Sequence, residues 1–254
     1  MTLLESFFIA LSTYSAVPVP QFDWNDQNMK YAICFFPFVG VLCGAALWGW
    51  IAISKGLGFG AVLFAAVAVC LPILISGGIH MDGFMDTVDA LASHNTRERK
   101  LEILKDPNCG AFAVVYAGVW FLLCFGILHE LFLSGNVLAA CPVFVMSRAL
   151  SGLCVVNMPN ARGAGMLCAF TEHAGRVAAN VALGALLALG AGAAVVVSPG
   201  VGLAEVLVAV VWALVYCRMA MREFGGVTGD TSGFFLEVCE LACFAGALVR
   251  GRLL

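Results

Sequence analysis

Gly77-Gly78-Ile79-His80-Met81-Asp82-Gly83-Phe84-Met85-Asp86-Thr87-Val88-Asp89 follows directly on a long apolar run and opens the most charged part of the chain. Six acids (Asp82, Asp86, Asp89, Glu98, Glu102, Asp106) and four bases (Arg97, Arg99, Lys100, Lys105) lie between His80 and Pro107. The rest of the chain is poor in charge, since only 11% of the 254 residues are charged while 62% are hydrophobic, with mean hydropathy +0.98. A soluble domain is nearer half apolar and a quarter charged. The composition therefore specifies an all-α, polytopic membrane protein, and carboxylates gathered at the end of an apolar run are expected to carry chemistry.

Outward from that stretch, apolar runs alternate with polar breaks. Residues 3–20 are apolar but stop at Val17-Pro18-Val19-Pro20, predicting a short embedded or interfacial helix. Tyr31–Ile53 and Leu57–Ser76 precede the charged segment 77–109; Gly110–Leu133 and Val137–Val156 follow it. A second polar region, Asn157–Arg176, leads to Val177–Val197 and Val201–Cys217. A third, Arg218–Ser232, leads to a last apolar helix at about 233–249, short enough to be tilted or re-entrant. The pattern predicts about 6–8 membrane-embedded helices in a single domain, 1–254, with runs long enough for a hydrocarbon core of about 30 Å. Pairs of crossings separate the three polar regions, so all three fall on one face. Their bases make that face cytoplasmic, because the turns 134–136 and 198–200 carry none. Lys55, Arg250 and Arg252 count the other way.

The net charge of −3 gives no reason to expect nucleic acid. The eleven cysteines form no CxxC pair and read as small buried residues. The N-terminus lacks a basic region and a cleavage site, so no cleaved signal peptide is expected.

At 100° per residue, Asp86 lies about 40° and Asp89 about −20° from Asp82, which puts the three carboxylates on one narrow helical stripe. Like charges so placed call for a cation, and oxygen-only ligands favour Mg²⁺, which joins one or two carboxylates to substrate phosphates. A solvated acidic face is the alternative. Glu98, Glu102 and Lys105 share a face at i, i+4, i+7; surface pairing explains the glutamates, whereas Lys105 and Asp106 sit where the chain turns back to the membrane. Lys105 is a candidate for a phosphate and Asp106 for a metal. Arg148, mid-span, is expected to bind a carboxylate such as Asp82 or a substrate phosphate. Arg162 is a phosphate candidate in a loop. Gly225-Gly226-Val227-Thr228-Gly229-Asp230-Thr231-Ser232-Gly233 reads as a tight loop feeding a helix whose cap is Asp230, Thr231 or Ser232 and whose N-terminus suits an anion. Glu237 and Glu240 continue one face of it. His80 is a candidate base or phosphate donor; His94, His129 and His173 carry no pattern.

Together these regions resemble the cobalamin synthase (adenosylcobinamide-GDP ribazoletransferase) family. The resemblance rests on Gly77 to Asp89, on Glu98-Arg-Lys-Leu-Glu102-Ile-Leu-Lys105-Asp106 running to Gly110-Ala-Phe112, and on Gly225-Gly-Val-Thr228-Gly229-Asp230 with Gly233, Glu237 and Glu240 at the expected offsets. Arg148, Arg162 and Pro18-Val19-Pro20 fit as well, so it covers essentially the whole chain. Ala90, Pro107, Ala113 and Phe234 depart from the family pattern without removing a carboxylate or a base.

The resemblance implies a substituted-phosphate transferase of the bacterial inner membrane. It would join adenosylcobinamide-GDP to α-ribazole, or to its 5′-phosphate, and release GMP. Asp82, Asp86, His80 and Lys105 would be catalytic. Mg²⁺ would sit on Asp82, Asp86, Asp89 and Asp106, and Arg148, Arg162, Thr228, Asp230, Glu237 and Glu240 would line the substrates. Membrane lipid, further copies of the chain and neighbouring enzymes of the same pathway are the partners such an enzyme would have; the oligomeric state is not legible. Two alternatives differ in pattern. A CDP-alcohol phosphotransferase making phospholipid would carry Asp-Gly, Ala-Arg, Gly and two more Asp in one run, whereas Ala161-Arg162 lies far from Asp82-Gly83. A cation transporter would place its acids near mid-membrane on repeats, and no repeat is visible.

Overall fold

The computed structural model describes residues 2–163 and 175–253. Its elements are α1 (Thr2–Tyr14), α2 (Asp26–Met29), a 3₁₀ turn (Ala32–Phe35), α3 (Phe36–Leu57), α4 (Ala61–Ser76), α5 (Ile79–Ala92), α6 (Arg97–Ile103) and α7 (Ala111–Leu133). A second 3₁₀ turn (Val137–Ala139) precedes α8 (Ala140–Asn157), α9 (Arg176–Val197), α10 (Pro199–Glu223) and α11 (Gly229–Leu253). Among the described residues the only β pairing is an isolated parallel bridge, Asn160 with Val227. The all-helical bundle expected from composition is thus what forms.

Among the described residues six helical stretches are long and apolar enough to cross a membrane: Ala32–Leu57, α7, Val137–Asn157, α9, α10 and α11. α4, 16 residues long, spans roughly 24 Å and returns the chain to the starting face. Gly77 and Gly78 then take φ of 66° and 82°, a left-handed pair that residues with a Cβ avoid. The chain bends there by 94°, so α5 leaves the direction of α4 and lies across it, apart from the six stretches that pass as spans on their own.

Exposed apolar side chains on the outer helices, such as Leu122, Val181 and Val196, face the lipid. Small residues let the central helices approach closely, as where Gly40 and Gly44 of α3 lie against the backbone of α8 at Phe144 and Cys141. The N-terminal α1 covers the polar face; Ala16 N–H donates to Ile75 O at 2.8 Å and Ser6 Oγ to Asn28 O at 2.6 Å.

Two expectations change. The last helix is neither short nor re-entrant: α11 has 25 residues, because its first turns, Gly229 to Phe234, are helical although polar. The C-terminus therefore lies on the face opposite α5 and α6, where Arg252 pairs with Glu130. α10 likewise runs on to Glu223, beyond Cys217. The described face bearing α5 and α6 holds Lys30, Arg97, Arg99, Lys100, Lys105, Arg162, Arg176, Arg218 and Arg222; the opposite face holds Lys55, Arg250 and Arg252.

Candidate active site

The site is built where α5 crosses α11. A Cβ on Gly83 would lie 2.8 Å from Asp230 Cα and O, and one on Gly233 2.6 Å from His80 O, so only glycines allow this approach. The crossing sets the Asp82 stripe beside the start of α11. That start is capped by Thr228, not by Asp230, Thr231 or Ser232 as the sequence suggested. Thr231 N–H donates to Thr228 Oγ1 at 3.1 Å and Thr228 N–H to Thr231 Oγ1 at 2.8 Å, while Tyr216 O–H donates to Thr231 Oγ1 at 3.1 Å. Asp230 is thereby released from capping.

The second polar region joins through the β-bridge: Ala161 N–H donates to Val227 O at 2.9 Å and Val227 N–H to Pro159 O at 2.8 Å. Asn160 Oδ1 accepts from Arg162 N–H at 2.9 Å and Gly163 N–H at 3.1 Å, holding a tight turn. Arg162 projects from that turn onto Asp230, with N to O at 2.6 Å, and donates to Leu104 O at 2.7 Å. One guanidinium thus ties the 158–163 loop, the end of α6 and the start of α11 together. The rest of the second polar region, residues 164–174, lies outside the described residues.

Between these parts lies a cavity of about 270 Å³. Asp82, His80, Asn160, Arg162, Thr228 and Asp230 line its polar side; Ile33, Phe36, Ile79, Val155 and Leu236 line its apolar side, with Tyr14, Ser151 and Ser232 also in its wall. His80 Nε2, Asn160 Nδ2 and Arg162 Nε are buried without a hydrogen-bond partner among the described residues.

The three stripe acids have different surroundings. Asp82 lines the cavity. Asp86 lies outside it; burial first, then the carboxylates of Asp82, Asp230 and Asp89, push its pKa up to about 7, with Arg162 opposing. Asp89 accepts from Gly110 N–H at 2.6 Å and Ala113 N–H at 2.9 Å, so it caps the N-terminus of α7. Asp106, exposed, accepts from Asn108 N–H and Nδ2 at 2.9 and 2.8 Å, which shapes the turn before α7 and lowers its pKa. Lys105 is exposed at the same turn.

Arg148, Glu237 and Glu240 stand apart from the cavity wall. Arg148 and Glu240, 2% and 3% exposed, pair at 2.5 Å, and Ser147 Oγ donates to the same carboxylate oxygen at 2.8 Å. Arg148 also donates to Phe144 O at 3.1 Å. Its carboxylate partner is thus Glu240 rather than Asp82. Glu237 is buried beside them, and its backbone carbonyl accepts from Trp120 Nε1 at 3.0 Å.

A metal is expected at the stripe. Among the described residues no three His, Cys, Asp or Glu groups close into a cage. Mg²⁺ needs none, since it is usually held by one or two carboxylates together with phosphates and water. The carboxylates of Asp82, Asp230 and Asp89 crowd Asp86, and a divalent cation is what relieves such crowding. The donors are carboxylate oxygens and their charge is negative, which is the chemistry that Mg²⁺ takes.

A family model described as cobalamin-5-phosphate synthase matches residues 6–248. The chain belongs to that family. It is 42% identical over 241 residues, 95% of this chain and 92% of the relative, to an adenosylcobinamide-GDP ribazoletransferase of Lachnoclostridium phytofermentans. Proteins of the same name from Pseudomonas entomophila (37%, covering 94% of this chain and 97% of the relative) and Clostridium perfringens strain 13 (30%, covering 96% of each) are also similar. No solved structure matches the chain. Membership of the cobalamin-5-phosphate synthase family makes the chain a transferase and leaves the phospholipid-synthase alternative without support.

Sequence reasoning missed several residues here. Lys100, 6% exposed, pairs with Glu223 at 2.5 Å and fastens α6 to the end of α10; the i, i+4, i+7 spacing draws attention to the opposite face. Tyr14, Ser151 and Asn160 carry no charge and form no pattern. Asn160, between Pro159 and the candidate Arg162, has the one usable signal, a turn-forming residue beside a base.

Proposed function

We propose that this protein closes the nucleotide loop of adenosylcobalamin in a bacterial cytoplasmic membrane, with its active site on the cytoplasmic face. The ribose 3′-hydroxyl of α-ribazole, or of its 5′-phosphate, attacks the cobinamide-bearing phosphorus of adenosylcobinamide-GDP. The phosphorus–oxygen bond to GMP breaks, and a phosphodiester joins the two halves of the product. The observation that carries this reading is the convergence of three polar segments on one cavity, in a chain of this family.

Asp82, the stripe acid in the cavity wall, takes the proton of the attacking hydroxyl in this reading. Arg162, fixed by Asp230 and Leu104 in the cavity wall, supplies the positive charge that a phosphate oxygen there requires. The N–H groups at the capped start of α11 add a positive end beside it. Asp89 positions α7 against α5. Mg²⁺ held by Asp82 and Asp86 would neutralise pyrophosphate charge as it shifts toward the leaving GMP. His80 and Lys105 are retained as a neighbouring hydrogen-bonding group and an outer phosphate contact.

The test is incubation of proteoliposomes with adenosylcobinamide-GDP, α-ribazole and Mg²⁺. Equimolar cobalamin and GMP are expected. A protein that releases neither does not carry this activity.

A further inference from the structure

We infer that the cavity between α5, α8 and α11 is the subsite of the acceptor nucleoside, with its benzimidazole base in the apolar part and its 3′ oxygen at Asp82. The inference rests on the proposed transferase reaction and adds which substrate occupies which part of the site.

Size decides first. The cavity measures about 270 Å³. A nucleoside of about twenty non-hydrogen atoms suits the lower end of small-ligand sites, roughly 300 Å³. The corrinoid donor is several times larger and has to stay at the mouth, presenting only its pyrophosphate.

Depth decides next. Ser151 lies six residues before the end of α8, and Leu236 seven residues into α11. At 1.5 Å per residue the cavity reaches about 9–10 Å below the helix ends. Ile33, Phe36, Val155 and Leu236 are all buried apolar groups. Guanine, the other base in the reaction, carries polar atoms along its whole outer edge. Leaving those unpaired among such side chains weakens binding steeply. A dimethylbenzimidazole has apolar methyl groups on that edge and one free ring nitrogen, which the hydroxyl of Ser151 is placed to serve.

The polar groups complete the fit. His80 and Asn160 line the cavity, and their buried Nε2 and Nδ2 atoms have no hydrogen-bond partner among the described residues, which suits these two side chains to the ribose hydroxyls of a bound nucleoside. Of the three stripe acids only Asp82 reaches the wall. The acceptor therefore meets the acidic stripe at Asp82, and the donor pyrophosphate lies along the Asp86 side.

Changing the room for the base tests this. Val155→Phe should raise KM for α-ribazole about tenfold or more, leaving KM for adenosylcobinamide-GDP unchanged. It should also shift preference toward the riboside of unmethylated benzimidazole, a size-selective rescue that a general packing defect would not give. Ile33→Ala, the opposite change, should relax selection toward a bulkier naphthimidazole riboside and covers the case in which Val155→Phe does not fold. Equilibrium dialysis with radiolabelled α-ribazole, without donor or Mg²⁺, should show binding to the wild type that guanosine does not displace. Displacement by guanosine, or variants that move the donor KM and leave base-size preference untouched, would overturn the assignment. A wild type that binds α-ribazole yet forms no product would refute the proposed reaction and not the subsite.

Discussion

Asp82, Asp86 and Asp89 share one helical stripe yet meet three environments: a cavity wall, a crowd of carboxylates, and the N-terminus of α7. The differences set their chemistry. Because folding raises the Asp86 pKa from 3.8 to about 7, the folded protein binds a proton there more tightly than the unfolded chain. Metal-free protein should therefore lose stability as pH rises from about 4 to about 7, and Mg²⁺ should restore it above pH 7 while doing little at pH 5. Thermal unfolding in detergent, with and without Mg²⁺, reads this; a melting temperature that rises with pH in the absence of Mg²⁺ would contradict it. The stripe itself was legible in the sequence, since it depends only on spacing along one helix. The capping duty of Asp89 was not, because its donors lie 21 and 24 residues away and are backbone groups with no sequence signature. The Arg148 partner was equally hidden: an intramembrane arginine demands an acid, but nothing in the sequence says which helix supplies it.

At the scale of elements, the site depends on two contacts made by α11, one with α5 through Gly83 and Gly233 and one with α8 through Arg148 and Glu240. The ion pair is fully enclosed, so removing one member strands a charge in apolar surroundings. Arg148→Leu or Glu240→Leu alone should cost about 3–5 kcal/mol, whereas the double variant should recover much of that loss. Unfolding in a denaturing detergent measures all three; additive losses would show that the two residues do not act as a pair. Helix existence was legible from apolar runs, and the break at Ser198-Pro199 from turn chemistry; the bend at Gly77-Gly78 was not. The length of α11 was not, because Thr228 to Ser232 is polar and reads as loop, while reciprocal capping by Thr228 and Thr231 makes it the first turn of a helix.

Across the whole molecule, an odd number of crossings from α3 to α11 places α5, α6 and the 158–163 loop on one face and the C-terminus on the other. The alternation of apolar runs and polar breaks along the chain already implies that convergence, although it leaves the C-terminal side open. Cys109, exposed beside Asp89, should react with a membrane-impermeant maleimide only after cells are permeabilised. A Ser134→Cys variant, at the α7–α8 turn, should react in intact cells. The reverse pattern would invert the topology and move the site away from cytoplasmic substrates. The central claim is that one oxygen of the acceptor displaces GMP directly at this site. It is tested by turnover of α-ribazole carrying ¹⁸O at its 3′ position, followed by mass spectrometry of both products. The expected result is one ¹⁸O in the new phosphodiester and none in GMP, with product formation nearly abolished in folded Asp82→Asn. Label in GMP, or wild-type turnover by the variant, would contradict it.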